Sequence, residues 1–245
     1  MRTGLRIHIA PVGFKVNRVT EPIIRERADR VYLITHSNQD KAVPHLEKIL
    51  KILKKEKYLQ IQKRYTNIWD FFECLQTYKQ IIREEQDKGH IYINVSTGSQ
   101  IMSITGMFAC MIWGGTPYYA HIDYDNIKND PVDGLPEVRV DVIDELPVYS
   151  LSKPRPESLA LLQILSKAGG KIKKGKLIEE LEEIKLIDEK QSVAAKHSRL
   201  KALLHPITVG GGIDNPLVEV EYRGKQSNVM ITAQGESTLK IFGNN

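Results

Sequence analysis

The chain has little that would tie it to an oxidising compartment, a metal or a membrane. Only two of its 245 residues are cysteines, Cys74 and Cys110. They share no metal-ligand spacing and both fall in predicted helices, so reduced core thiols in a cytoplasmic protein are expected. The longest strongly apolar stretch, Ile101 to Trp113, is too short to cross a bilayer, and no membrane partner is expected. The first residues run directly into a predicted strand at Leu5, so no signal peptide is expected. Two phosphate fingerprints are also missing. There is no GxxxxGK[ST], and no GxGxxG follows the first strand, so neither ATP hydrolysis nor ordinary dinucleotide binding is supported. No paired carboxylates for hydrolysis stand out. Asp123, Asp125 and Asp130 cluster after one predicted strand, but their spacing is a weak metal signal and a polar loop is the expectation. Neither a metal nor a cofactor is expected.

What is present is a globular composition, 41% apolar and 27% charged. The formal charge of +5 permits nucleic-acid binding without requiring it. Residues 5–146 alternate strand and helix patterns. Strands are predicted at 5–10, 31–35, 58–61, 90–94, about 117–122 and, as a final edge, 138–142. The first helix is expected from about Thr20, with Pro22 in its opening turn, where a missing N–H does no harm. The second carries Val43, Leu46, Ile49, Leu50 and Leu53 at helical spacing, and Asn67 is the expected cap of the third. Trp69 and Trp113 are assigned to the core. This rhythm predicts a Rossmann-like, doubly wound, mostly parallel α/β sheet, in which ligands sit at the carboxyl ends of the strands where the strand order reverses.

The stretch most suited to such a site is Asn94-Val95-Ser96-Thr97-Gly98-Ser99-Gln100. It joins a buried strand to a helix that is apolar on nearly every face. A helix start leaves unpaired N–H groups and a dipole that favours negative charge. Gly98 permits close backbone approach, and Ser96, Thr97 and Ser99 add hydroxyls. The first loop, Gly13-Phe14-Lys15, should lie beside this turn. Phe14 is either a base-stacking residue or part of the core, and Lys15 either meets a phosphate or is solvated. His36, at the end of the second strand, is either a general acid–base or a hydrogen-bonded rim residue.

Residues 147–156 contain three prolines and predict a semi-rigid linker between a domain at 1–146 and another at 157–245. The second domain carries predicted helices at 157–167, 176–184 and 189–204, the last capped by Asp188. A hairpin with the tip Arg223-Gly224-Lys225 and a short helix at 233–241 complete it. Three helices and a hairpin form the layout of a small α+β winged helix-turn-helix. Its third helix, with Val193 and Ala194 packing inward, would offer Ser192, Lys196, His197, Arg199 and Lys201 to the major groove of double-stranded DNA. Arg223 and Lys225 would touch phosphate, and the lysines of 171–176 add a further contact. Glu179, Glu180, Glu182 and Glu183 should face away from DNA.

Asn94, Ser96, Gly98, Ser99 and Met102 match the signature of the CRISPR-associated Rossmann-fold (CARF) domains, and the loop at Gly13-Phe14 resembles that family's first ligand loop. The two-domain plan is similar to archaeal CARF regulators that end in a winged helix. The resemblance implies a homodimer binding a cyclic oligoadenylate across its two-fold axis, with Gly13, Phe14, Thr97, Gly98, Ser99 and Gln100 toward the ligand. Thr97 stands where glycine is usual, and Gln100 where lysine is usual. Losing that cation weakens phosphate attraction and any support for phosphoryl transfer. The expectation is therefore a ligand-responsive, DNA-binding transcription regulator. Two rivals stand beside it: a metal-independent ring nuclease using Ser99, His36 and Lys15, and a ligand-gated adaptor that binds protein.

Overall fold

Alternating apolar runs and amphipathic helices build two units in the computed structural model, Met1–Ser152 and Lys153–Asn245. The residues described are 4–36, 43–123, 128–129, 136–137, 139–209, 215–223 and 226–243. The first unit runs β1 (Leu5–Pro11), α1 (Val16–Arg25), β2 (Arg30–Thr35), α2 (Val43–Leu53), β3 (Gln60–Tyr65), α3 (Phe71–Glu85), β4 (Gly89–Asn94), α4 (Gln100–Trp113) and β5 (Thr116–Ile122). The short β6 (Lys128–Asn129) and β7 (Pro136–Glu137) follow, then β8 (Val140–Glu145). The main sheet has the order β3-β2-β1-β4-β5-β8. Its first five strands are mutually parallel, and β8 closes the edge antiparallel to β5. This is the doubly wound, mostly parallel α/β sheet that the alternation predicts. The order reverses between β1 and β4, which opens a crevice at their carboxyl ends.

Parallel strands covered on both faces need apolar residues on both. On one face Ala10, Val31 and Leu33 pack against Val19 and Ile23 of α1 and Leu46, Ile49 and Leu53 of α2. On the other, α3 and α4 lie together, and Gly106 of α4 faces Ile93 and Val95 so closely that an added Cβ would stand 3.1 Å from Ile93 Cγ2. Cys74 and Cys110 are buried free thiols there, pushed up to about 11 and about 12 respectively, in each case mainly by burial. The chain leaving this unit is tied back to α4, since Leu151 N–H donates to the Met111 carbonyl at 2.8 Å.

Four local expectations need correction. Pro22 lies inside α1 rather than in its first turn, because α1 begins at Val16. The third strand is β3 at 60–65, shifted from the weaker apolar run at 58–61. Asp70, not Asn67, caps α3: its side chain accepts from Glu73 N–H at 2.9 Å, while Asn67 Oδ1 accepts from Trp69 N–H in the preceding turn. Trp69 is 68% exposed instead of buried.

The second unit runs α5 (Pro156–Lys167), β9 (Lys171–Lys173), α6 (Lys174–Glu183), α7 (Val193–Leu204), a 3-10 turn at His205–Ile207, β10 (Val218–Arg223), β11 (Gln226–Ile231) and α8 (Ala233–Phe242). Leu161, Leu165, Leu177, Leu181, Leu200 and Val229 are among its core. The sheet order is β10-β11-β9, so the chain forms a winged helix with a three-stranded wing. The lysine-rich run at 171–176 hides a strand within it. Ile172 is buried opposite Val229, and Lys171 pairs with Glu221 at 2.7 Å. Among the described residues, no helix is long and apolar enough to cross a membrane.

One buried polar cluster holds β2 to α3. Arg30 Nη1 donates to both Glu85 carboxylate oxygens at 2.6 Å, and the Tyr32 hydroxyl donates to Oε1 at 2.6 Å. Burial pushes the Glu85 carboxyl up, but hydrogen bonds from Tyr32, Arg30 and Lys88 outweigh it and hold the group below its usual range. Across the sheet His8 is buried, stacked on Tyr92, with Nδ1 3.3 Å from the Tyr118 hydroxyl. Burial, then the charge of Arg6, push its pKa down from 6.5 to about 3.

Both shifts make the fold acid-sensitive. A carboxyl with a depressed folded pKa stabilises above its unfolded value and loses that stabilisation as pH falls through the folded value. For His8 the unfolded chain takes up a proton that the folded chain refuses, so stability falls between pH 6.5 and about 3. Melts across this range should show that decline, and His8→Gln, neutral at every pH, should flatten it. Glu85→Ala, which leaves Arg30 only its Gln60 acceptor and takes the acceptor from the buried Tyr32 hydroxyl, should cost about 3 kcal/mol at neutral pH in chemical denaturation.

Candidate functional site

The site is assembled from backbone before any side chain is considered. The loop after β1 and the turn after β4 meet at the strand-order reversal. A Cβ added at Gly13 would lie 2.9 Å from the Gly98 nitrogen, and one added at Gly98 would lie 2.5 Å from Pro11 Cβ. Gly98 also has φ +82°, in the left-handed region. Both glycines are therefore needed for the two main chains to touch.

Asn94 holds this contact in place. Its Oδ1 accepts from Ser96 N–H at 3.0 Å and from the Ser96 hydroxyl at 2.6 Å, folding the turn on itself. Its Nδ2 donates to the Arg18 carbonyl at 2.9 Å. That carbonyl lacks its usual helical donor, four residues on, because the donor position is Pro22 and proline has no N–H. The misplaced proline thus creates the acceptor that locks α1 to the turn. Asn94 is fully buried and Ser96 is turned to it, so both build the turn from within rather than facing a ligand.

Ser99 is the N-cap of α4, accepting from Met102 N–H at 3.2 Å, and its hydroxyl donates to the Ile68 carbonyl at 2.8 Å. Its proton is already engaged, which does not suit an activated nucleophile. His36 Nδ1 lies 3.1 Å from the Thr66 carbonyl, as a hydrogen-bonded rim histidine would. Lys15 occupies the cap position of α1, half-buried. Gly98 and Gln100 are exposed at the lip. Phe14 is 58% exposed and meets His45 edge-on, not in the core. Two hydroxyls missed as a pair, Thr97 Oγ1 and Thr35 Oγ1, are buried with no hydrogen-bond partner among the described residues. Thr35 ends β2 and Thr97 lies in the turn. Exposed Tyr65 and Trp69 end β3 and follow it, next to the Ile68 carbonyl that Ser99 holds.

The predicted DNA-facing residues separate into two groups. Helix α7 begins only at Val193, capped by Ser192, whose Oγ accepts from Ala195 N–H at 3.3 Å, so Asp188 is not its cap. Lys196 is drawn inward to Glu182 at 2.8 Å, so one acid of α6 faces α7 rather than turning away. Arg199 Nε donates weakly to the Leu186 carbonyl at 3.4 Å. His197 and Lys201 are exposed, as are Val193 and Ala194, which the sequence pattern had placed inward. The side chain of Arg223, and Gly224 and Lys225 altogether, lie outside the described residues, as do Asp125 and Asp130. Among the described residues no metal-binding group of His, Cys, Asp and Glu occurs.

Comparison with known proteins divides the chain in the same two places. Residues 6–124 match the family model described as HFX_2341_N-like, N-terminal. Residues 157–243 match the DUF6293 C-terminal winged helix domain. An uncharacterised protein of Methanocaldococcus jannaschii is 30% identical over 152 residues, covering 60% of this chain and 43% of that protein. Among solved structures, Enterococcus italicus Csm6 bound to a cyclic hexa-dAMP analogue is 12% identical with a TM-score of 0.42, covering 82% of this chain and 54% of its own. Can2 from Sulfobacillus thermosulfidooxidans, in complex with cyclic tetra-adenylate, is 13% identical with a TM-score of 0.41, covering 97% and 64%. The chain spans less than two thirds of the length of each of these relatives.

Gly98→Ala should destabilise the first unit by roughly 1–3 kcal/mol, from positive-φ strain and the clash with Pro11. Asn94→Ala should cost a similar amount by orphaning the Arg18 carbonyl and the Ser96 amide. Thermal denaturation that left both variants at the parent's Tm would contradict the locked turn.

Proposed function

We propose that this chain, which joins an HFX_2341_N-like N-terminal domain to a DUF6293 winged helix domain, is a ligand-gated, DNA-binding regulator. Its first unit would bind a cyclic oligoadenylate or related nucleotide. The observation that carries the proposal is the meeting of the Gly13 and Gly98 backbones at the switch point, with two buried, unpartnered threonine hydroxyls nearby. An anion takes backbone amides and hydroxyls at such a place, and the exposed rings of Phe14, Tyr65 and Trp69 suit bases. The resemblance of the residues around Gly98 to the CARF signature supports a cyclic oligoadenylate as that anion. Gln100 in the usual lysine position leaves the attraction to phosphate to neutral donors.

A homodimer fits the same geometry. Helix α4, which starts at the turn, leaves Ile104 49% and Phe108 38% exposed, four residues apart on one face, with Phe71 edge-on to Phe108. A second copy against this face would bring a second turn beside the first. Binding is favoured over cleavage, because the Ser99 hydroxyl is held by Ile68 and His36 by Thr66. Ligand would shift DNA affinity only as far as its own affinity differs between the two dimer states.

The test pairs a panel of cyclic oligoadenylates with a duplex mobility shift. One ring should raise the Tm of the first unit's transition, by the equivalent of about 2.7 kcal/mol at a hundredfold excess over Kd. The same ring should be recovered intact and should change the DNA shift. Gln100→Lys should tighten the ring several-fold in calorimetry at low salt. If no ring alters stability, or if the ring is hydrolysed, the proposal fails.

A further inference from the structure

Helix α7 carries an apolar tip that the core does not use. Val193, first in the helix, is 73% exposed and Ala194 beside it is exposed too, although the core of the unit contains leucines from the same helix. A β-branched residue is a mediocre helix former, so neither packing nor propensity explains Val193 there. One and two turns further on, His197, Ser198 and Lys201 share the exposed side. Within α7 there is no Asp or Glu at all. A concave groove borders the helix, lined by Lys174, His197, Leu200, Lys201, His205 and Val220. An apolar helix tip, with Lys174 and Lys201 on the groove beside the same helix, is complementary to a major-groove edge flanked by phosphates.

Building on the DNA-binding reading above, we propose that Val193 and Ala194 read the 5-methyl group of a thymine, while His197 and Lys201 seat the adjoining phosphate in the groove. In helix-turn-helix proteins the first residues of the recognition helix contact base edges, and a thymine methyl is the major-groove feature that an apolar side chain can recognise. Lys196, held by Glu182, keeps the helix against α6 instead of contacting DNA.

The test uses the full-length protein and a randomised duplex library. The selected duplex is remade with deoxyuridine at each thymine in turn, which removes one methyl and nothing else. One thymine in each half-site should show about fourfold weaker binding as uracil, the worth of one buried methyl. Val193→Ala, at an exposed position that should not disturb folding, should shrink that ratio below about twofold. Lys201→Ala should weaken both duplexes alike and lower the salt slope by about one. Equal binding of every thymine and uracil duplex by the parent, or an unchanged ratio in Val193→Ala, overturns methyl reading while leaving DNA binding intact. Retention of no duplex at low salt overturns both.

Discussion

The first unit depends on one side-chain amide with both ends in use. Asn94 folds the turn through Oδ1 and holds α1 through Nδ2, and the second bond exists because Pro22 leaves the Arg18 carbonyl bare. A proline inside a helix ordinarily costs about 3 kcal/mol. Here part of that cost is offset by a bond that ties α1 to the end of β4, where the turn begins. The Gly13 and Gly98 backbones meet beside this bond. Among the described residues, the buried hydroxyls of Thr35, at the end of β2, and Thr97, in the turn, have no hydrogen-bond partner.

Much of the architecture is legible from periodicity, because parallel strands and their covering helices write different apolar patterns. Strands β1, β2, β4 and β5 stand within a residue or two of their predicted places, and the prediction of a doubly wound sheet followed by a winged helix holds. The failures fall where the apolar pattern is weak or a residue type misleads. Strand β3 is an edge with a mostly exposed pattern, so it lacks the apolar run that marks its neighbours. Strand β9 is three residues long, with a single buried Ile172 among lysines, and composition made it look like a basic loop. Trp69 was placed by residue type, yet it sits in the exposed loop that Ser99 holds.

The site was partly legible too. The turn at 94–100 and its contact with the first loop were visible in the spacing of glycines, strand and helix. Which residues face a ligand was not, because that depends on hydrogen bonds made across the fold. Asn94 and Ser96 act through the shape they impose on the turn, a distinction no local pattern encodes. On α7 the seven-residue spacing puts Val193 on the side of buried Leu200, yet Val193 opens the helix and is 73% exposed, while Lys196 reaches Glu182.

The bond from Leu151 N–H to the Met111 carbonyl gives α4 a second role. The helix is fourteen residues long, about 20 Å of rigid rod, with the glycine turn at its head and the departing chain tied near its tail. One helix thus joins the glycine turn at its head to the point near its tail where the chain leaves the first unit, so the two ends are held at a fixed separation.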